Sequence, residues 1–221
     1  MKRLIVNADD FGASRGTNNG ILHAHRHGIV TSTSLLVDAA ASEDAAAQAA
    51  AAPELSVGLH LDLDGVDVMR LPDELERQME RFTALTGTSP THVDTHHNTH
   101  RDPRILESVL AFARHHGLPL RGHSPVHVVP SFYGQWGGAT HMEQISADGL
   151  ERILRGVGEG VTELTCHPGY LDAGLRSSYA VEREAEVHTL CDPAARAVLI
   201  SLDIHLFTFR DLPGLLAGSP G

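Results

Sequence analysis

The stretch that decides the fold is LIVNADDFG, residues 4–12. Its three leading apolar residues predict a short buried strand, which runs into the adjacent carboxylates of Asp9 and Asp10 before Gly12 lets the backbone turn. In α/β proteins, ligands bind beyond the carboxyl ends of the strands. The sequence therefore predicts that both carboxylates belong to a functional site. Because neighbouring side chains on an extended segment point in opposite directions, we expect them to have different tasks.

The length and charge of the chain limit the possible classes of function. Its 221 residues fit one domain spanning residues 1–221, and its formal net charge of −11 disfavours nucleic acid as a partner. The sequence lacks an apolar run of the roughly 18 residues that span a bilayer. It also lacks a basic amphipathic segment and a signal-peptide pattern. We therefore expect a cytoplasmic protein that binds neither nucleic acid nor membranes.

The chain is rich in histidine and poor in cysteine. Sixteen histidines lie between His23 and His205, whereas the two cysteines, Cys166 and Cys191, are too few for a disulfide framework. Cys166 directly precedes His167, so a catalytic thiol is one interpretation. A small buried apolar residue beside a functional histidine is the favoured one.

Strands alternate with helices along the chain. The patterns predict strands at 4–9, 29–37, 55–61, 91–100 (ending in a histidine cluster), 118–121 and 161–167, and helices at 15–27, 42–52, 72–86, 105–116, 148–157, 182–190 and 194–199. Ser42 is expected to cap the second helix, residues 122–140 to form a long loop, and residues 206–209 to add a closing strand. This alternation predicts a parallel sheet that is closed, or nearly closed, into a barrel. An open doubly wound sheet is the alternative, but no Gly-rich phosphate-binding fingerprint follows the first strand.

Polar side chains occupy four predicted strand ends. They are Asp9 and Asp10, His60, Asp94 with His96, and His167. On a barrel these residues would meet at one face, although each alone could be a scattered surface or core polar group. One carboxylate with two imidazoles is a usual ligand set for a catalytic divalent metal. The coincidence of four strand ends favours a metal site.

Local sequences at the same places resemble the YdjC-like (ChbG-type) carbohydrate deacetylases. The resemblance covers nearly the whole chain in the right order, so it does not depend on one motif. The matching segments are NADDFG at 7–12, GIVTSTS at 28–34 within 18–37, VGLH at 57–60, HVDTHHNTH at 92–100, CHPGY at 166–170, and Tyr179 followed by Arg183 and Glu184.

The resemblance implies a single-domain α/β fold, a distorted parallel β/α barrel related to the polysaccharide deacetylases. It implies a metal-dependent hydrolase that removes an N-acetyl group from an acetylated amino sugar or chitooligosaccharide. By motif, the metal ligands would be Asp10, His60 and His96, with Asp9 as the base and His167 as the acid. The chemistry agrees, because amide hydrolysis needs activated water, a proton acceptor and a proton for the leaving amine.

Neighbouring polar residues have more than one interpretation. Asp94 either orients a histidine ligand or caps a strand-end turn. His97 and His100 either line the sugar cleft or face solvent, and Arg121 either steers substrate, pairs with a carboxylate, or forms a surface ion pair. The expected cofactor is one divalent metal ion, Mg²⁺ or Zn²⁺ first, with Mn²⁺, Co²⁺ and Ni²⁺ as alternatives. The expected partner is a small acetylated sugar, and a homodimer is left open.

Two departures from the family pattern concern specificity. Asn98 stands where the family usually has a further histidine, and the segment 61–91 is short for the family, so a substrate-covering loop is expected to be missing. Two other functions compete with deacetylation. A phosphoesterase on a similar barrel would need more basic residues near the motifs, and a non-catalytic sugar-binding relative would not need both Asp9 and His167.

Overall fold

The computed structural model describes residues 1–175 and 177–212. The strands are β1 Lys2–Phe11, β2 Ser32–Leu35, β3 Ser56–Leu61, β4 Val93–Thr95, β5 His127–Val129, β6 Gln135–Trp136, β7 Ala139–Thr140, β8 Gly160–Cys166 and β9 Ile204–Leu206. The helices are α1 Arg15–His27, α2 Ser42–Ala50, α3 Leu71–Thr86, α4 Pro103–His115, α5 Ala147–Leu154, α6 Val181–Cys191 and α7 Pro193–Ser201.

Strand β1 is the centre of a curled parallel sheet. The strand order is β4-β3-β2-β1-β8-β5, and β1 pairs with β8 in unbroken register from Lys2 to Ala8. Strand β9 pairs with the first residues of β1, on the same side on which β2 pairs with the later residues of β1. On the outer side of β4, Leu120 forms a single bridge to Val93. Strands β4 and β5 are not paired in the described part of the chain, so the barrel stays open on one side. The prediction of a distorted parallel β/α barrel is confirmed.

Alternate residues of β1 face opposite layers. The even-numbered residues from Leu4 to Ala8 belong to the main core with the apolar faces of the helices. Ile5 instead packs in a smaller cluster inside the barrel, and the two-residue period of a strand places Asn7 and Asp9 on the same side. We call this cluster the barrel floor; its members are Ile5, Val126, Val161, Phe209 and Leu212. The interior is therefore apolar at its amino end and polar at its carboxyl end.

Helix ends mostly follow the local signals. Helix α1 begins after Ser14, whose hydroxyl accepts a hydrogen bond from the Thr17 N–H, and α3 ends at Gly87 in the left-handed conformation (φ 71°). The prediction that Ser42 caps the second helix is wrong. Ser42 is already the first residue of α2, and Ala41 occupies the N-cap position without a side-chain hydrogen bond.

Two other expectations need correction. The loop predicted over 122–140 contains β5, which extends the sheet beside β8, and the antiparallel hairpin of β6 and β7. The closing strand lies at Ile204–Leu206 and not at 206–209, since Phe209–Asp211 forms a 3-10 turn capped by Thr208. Strands of two or three residues are too short for the apolar–polar alternation to become visible in a sequence.

None of the helices in the described part of the chain combines the length and apolar character that crossing a membrane requires.

Candidate active site

A cleft of about 690 Å³ opens at the carboxyl ends of β1, β3, β4 and β8. Its volume lies in the range of roughly 300–1,000 Å³ that is typical of small-molecule sites. Most of the sequence-predicted site residues line it, namely Asp9, Asp10, His60, His96, His97, Arg121 and His167. Asp94 is fully buried behind this wall, and His100 is not part of the wall.

A break in β1 brings both aspartates to the cleft. The register to β2 shifts between Ala8 and Phe11, and Asp10 adopts the left-handed conformation (φ 69°). For a residue other than glycine, this conformation costs of order 1–3 kcal/mol and persists only where the surroundings hold it. The expectation that Asp9 and Asp10 point in opposite directions is wrong, because the irregularity interrupts the two-residue alternation.

Asp10 lies beside both His60 and His96. Asp10 Oδ1 lies 3.4 Å from His60 Nε2 and 3.8 Å from His96 Nε2. His60 Nδ1 lies 2.6 Å from Asp94 Oδ1, so the Asp94 carboxylate fixes the ring and leaves Nε2 directed at Asp10. Burial lowers the pKa of His96, which keeps that imidazole neutral and able to donate a lone pair. One carboxylate oxygen and two imidazole nitrogens therefore fit a divalent transition metal.

The charges of the buried cluster favour an added cation. Burial opposes a charge on His60, but Asp94, Asp10 and Asp9 outweigh it and raise the pKa of His60 to about 10. The surroundings thus stabilise positive charge at this ring, and a metal ion at Nε2 would replace a proton there. Four buried carboxylates face two buried guanidinium groups in this region: Asp9, Asp10, Asp94 and Glu163 against Arg121 and Arg183.

The second oxygen of Asp10 is held by Arg183 from α6. Arg183 Nη2 donates to Asp10 Oδ2 at 2.6 Å, and its Nε donates to the Tyr179 carbonyl at 2.9 Å. Burial alone would raise the pKa of Asp10, but His60 and Arg183 together keep it well below its usual range. Asp10 is therefore an anion with one oxygen already bound.

Asp9 belongs to a different network, centred on Arg121. Arg121 is buried and donates to both Asp9 oxygens at 2.7 Å and to Glu163 Oε1 at 2.8 Å, and its Nη2 lies 2.6 Å from Asp94 Oδ2. The interpretation of Arg121 as part of a surface ion pair is therefore wrong. Ligand atoms of Asp9, His60 and Asp94 also lie within 4.8 Å of one another, but Arg121 already supplies the positive charge there, so we do not regard that trio as a metal site.

His167 stands on the far side of Asp9. Its Nε2 lies 3.9 Å from Asp9 Oδ2, and its ring meets Tyr133 and Tyr179 edge to face. Burial lowers the pKa of His167, so its ring is neutral near pH 7. The fully buried Glu186 accepts hydrogen bonds from the backbone N–H of His167 and from the Tyr179 hydroxyl. These two bonds fix this wall of the cleft.

The histidine cluster after β4 divides into exposed and buried members. His97 and Asn98 both adopt positive φ (55° and 53°), and His97 Nδ1 lies 2.8 Å from Asp64 Oδ2 at the mouth of the cleft. His100 is only 2 % exposed and shares a hydrogen bond with Thr95 Oγ1 at 2.7 Å. Both interpretations offered for His100 are therefore wrong, because it neither lines the cleft nor faces solvent.

Cys166 has the environment of a buried apolar residue. It is fully buried, its Sγ donates to the Asn7 carbonyl at 3.3 Å, and burial raises its thiol pKa well above the usual value. A thiol with a raised pKa is a poor nucleophile, so these observations disfavour a catalytic cysteine.

The sequence of the chain matches a known family and its members over most of its length. The family described as YdjC-like protein matches residues 3–73 and 66–201. This chain belongs to the YdjC-like family. A chitooligosaccharide deacetylase of Serratia marcescens is 34 % identical, over 96 % of this chain and 99 % of the relative. A carbohydrate deacetylase of Geobacillus stearothermophilus is 34 % identical, over 94 % and 96 %.

Solved structures with a similar fold are also known. A protein of Enterococcus faecalis V583, named for cellobiose-phosphate cleavage, superposes with a TM-score of 0.86 at 27 % identity, covering 96 % of this chain and 98 % of that one. A family 4 carbohydrate esterase of Streptomyces lividans superposes with a TM-score of 0.61 at 14 % identity, covering 93 % and 91 %, which shows a shared fold.

The comparisons also bear on the short segment 61–91. The alignment to the Serratia relative is 251 positions long, whereas this chain has 221 residues, so the relative has residues without a counterpart here. The two stretches that match the family overlap at residues 66–73, which run from the connection after β3 into the first turn of α3. This is the place where we expect a substrate-covering loop to be missing.

Sequence reasoning missed several residues that complete the site. Arg183 stood in the matching segments, but nothing in the sequence indicated its contact with Asp10. Glu163 carried a usable signal, because an acidic residue in the middle of an otherwise apolar and β-branched strand is rarely buried without a partner. Tyr133 lay in the segment predicted as loop, so its position against His167 was not predicted.

Proposed function

We propose that this chain is a metal-dependent carbohydrate deacetylase that hydrolyses the N-acetyl group of an acetylated amino sugar or chitooligosaccharide. The observation that carries the proposal is the approach of two imidazole nitrogens to Asp10 Oδ1, with Asp9 and His167 facing the same cleft. The names of the two relatives that share 34 % of their residues with this chain support the reaction class.

Asp10, His60 and His96 would hold the metal. A divalent ion there would supply Lewis-acid activation of water and of the acetyl carbonyl. Asp94 orients the His60 ring through a hydrogen bond to His60 Nδ1, and Arg183 keeps Asp10 ionised. The residues of the chain thus provide a preformed set of donors that needs little reorganisation when the ion binds.

Proton transfer would use Asp9 and His167. Asp9 Oδ1 accepts hydrogen bonds from Arg121, Asn7 and Ser34. Asp9 Oδ2 accepts one from Arg121 and keeps a further lone pair, so this oxygen would take the proton of the attacking water. Because the His167 ring is neutral at rest, it must gain a proton before it can act as an acid. Asp9 Oδ2, 3.9 Å from His167 Nε2, is the source, and His167 would then protonate the leaving amine.

The competing functions find less support. A phosphoesterase would need positive charge available to phosphate oxygens. Of the arginines that line the cleft in the described part of the chain, Arg101, Arg121 and Arg183, the last two are already paired with carboxylates. A non-catalytic sugar-binding protein would not need Asp9 and His167 within reach of each other at the same cleft.

Acetate release from diacetylchitobiose tests the proposal. Metal-stripped protein would be supplied in turn with Zn²⁺, Co²⁺, Mn²⁺ or Mg²⁺, beside His96→Ala and the control His205→Ala, which changes an exposed histidine outside the cleft. We expect metal-dependent release from the wild type and the control, and its loss together with bound metal in His96→Ala. Metal bound through His96 without release would overturn the substrate, and absence of such binding would overturn the metal-dependent reaction.

A further inference from the structure

We propose that Arg183 is a positioning residue that restricts Asp10 to one metal-binding oxygen and so shifts the metal preference of this site away from oxygen-seeking ions such as Mg²⁺ and towards Zn²⁺. The inference rests on the proposed metal site. It concerns a residue of α6 that lies far from the ligands in sequence.

The Arg183 guanidinium is fixed from several sides. Besides Asp10 Oδ2 and the Tyr179 carbonyl, it contacts the His167 carbonyl, to which Nη1 donates at 3.4 Å. The side chain is only 3 % exposed and packs near Gly169, where an added Cβ would come within 3.3 Å of Arg183 Cδ. Arg183 therefore has little freedom to release Asp10, and Oδ2 stays occupied.

The remaining donor set has a clear chemical bias. With Oδ2 bound to Arg183, the chain offers one carboxylate oxygen and the Nε2 atoms of His60 and His96. Hard ions such as Mg²⁺ and Ca²⁺ prefer oxygen ligands, and Ca²⁺ in particular accepts carboxylates through both oxygens. Imidazole suits Zn²⁺, Co²⁺ and Ni²⁺. A guanidinium on Asp10 also cancels the charge on which a hard cation depends most.

Removal of the guanidinium should change this bias in a known direction. In Arg183→Gln, Asp10 would be free to turn both oxygens and its full charge to the metal. Changes to groups behind metal ligands alter metal affinity by roughly 10- to 100-fold. Because we expect the change to favour Mg²⁺ over Zn²⁺, the ratio of the Zn²⁺ to the Mg²⁺ association constant should fall by about 10-fold. Arg183→Lys keeps the charge but loses the planar fork, so we expect a smaller change in the same direction.

The experiment is a metal titration that does not depend on turnover. Metal-stripped protein would be titrated with Zn²⁺ in a competing chelator and with Mg²⁺ by calorimetry, in wild type, Arg183→Gln and Arg183→Lys. His60→Ala would define binding outside the site, including binding by two other candidate trios, Glu76 with His115 and His116, and Asp64 with His96 and His97. Arg77→Gln, which removes a surface arginine paired with Asp38 and Glu74, is the matched control.

The outcomes separate the two proposals. If His60-dependent binding persists in the Arg183 variants and the Zn²⁺/Mg²⁺ ratio equals that of the wild type, the role of Arg183 is overturned while the metal site stands. If Arg183→Gln does not fold, the ratio in Arg183→Lys decides alone. If the wild type shows no His60-dependent binding of any ion, the metal site itself is overturned, and the role of Arg183 with it.

Discussion

Asp9 and Asp10 are neighbours in sequence, and each contacts a buried arginine, yet their surroundings differ. On the Asp9 side, which comprises Asp9, Arg121, Asp94 and Glu163, the guanidinium occupies both oxygens of Asp9. On the Asp10 side, which comprises Asp10, Arg183, His60 and His96, the guanidinium takes one oxygen and leaves the other to two imidazoles. Asp9 is therefore an anion whose two oxygens are both bound by an arginine, whereas Asp10 keeps one oxygen available as a ligand.

The largest effects should come from removing each carboxylate in turn. Asp9→Asn should lower the rate of acetate release by about 10²–10⁴, the usual contribution of a general base, while metal affinity stays close to that of the wild type. Asp10→Asn should lose metal affinity and activity together. Rates and metal titrations on both variants check this. Loss of metal in Asp9→Asn, or turnover at the wild-type rate there, would contradict the division between the two sides.

Stability should depend strongly on the Asp9 side. Arg121→Met leaves three buried carboxylates without their shared cation, so we expect the free energy of unfolding to fall by about 3–5 kcal/mol. Urea unfolding measures the change. Arg77→Met, which removes an exposed arginine, should change the free energy of unfolding by no more than about 1 kcal/mol. Equal effects of the two substitutions would show that Arg121 does not hold its three carboxylates together.

The smallest effect at a single pH step is a change in pH dependence. Burial outweighs the hydrogen bonds from Tyr179 and His167 and raises the pKa of Glu186 to about 8. A folded-state pKa above the unfolded value means that this group's contribution is complete below about pH 4 and is lost as the pH rises through about 8. Glu186→Gln cannot ionise, so its free energy of unfolding relative to the wild type should rise by up to about 1.4 kcal/mol per pH unit within that window.

Urea unfolding at several pH values gives this slope, and Glu151→Gln at an exposed position is the control. A wild-type-minus-variant difference that is constant with pH would contradict the assignment of a proton to Glu186. Glu163, on the Asp9 side, also has a pKa raised by burial, to about 7, and its contact with Arg121 opposes that rise. Glu163 should therefore lose its proton before Glu186 as the pH rises.

The fold and the position of the cleft followed from simple patterns. The apolar residues before Asp9, and the return of polar residues at each later strand end, were sufficient because parallel strands bring their carboxyl ends together. The register break at Asp10 was not predictable, since the left-handed conformation there is imposed by tertiary contacts. The contacts of Arg121 and Arg183 join residues 112 and 173 positions apart, beyond the reach of any local pattern.

The different positions of the histidines were also not predictable from local sequence patterns. His60, His96 and His100 look alike in a sequence, but a difference of a few residues after β4 turns His96 towards Asp10 and buries His100 against Thr95. Spacing alone could not separate them, because two consecutive residues with positive φ, His97 and Asn98, change the direction of the chain between them.

The barrel floor has a kinetic consequence. Its five side chains are all buried, so in the described part of the chain the amino end of the barrel is filled and the cleft is closed at its inner end. A fragment bound at a closed inner end is retained behind one that is bound nearer the mouth. The acyl group has to reach Asp9 and Asp10 at the inner end, so acetate would depart only after the amino sugar has vacated the mouth. The last product to leave binds the free enzyme, and acetate should therefore inhibit competitively with respect to the sugar.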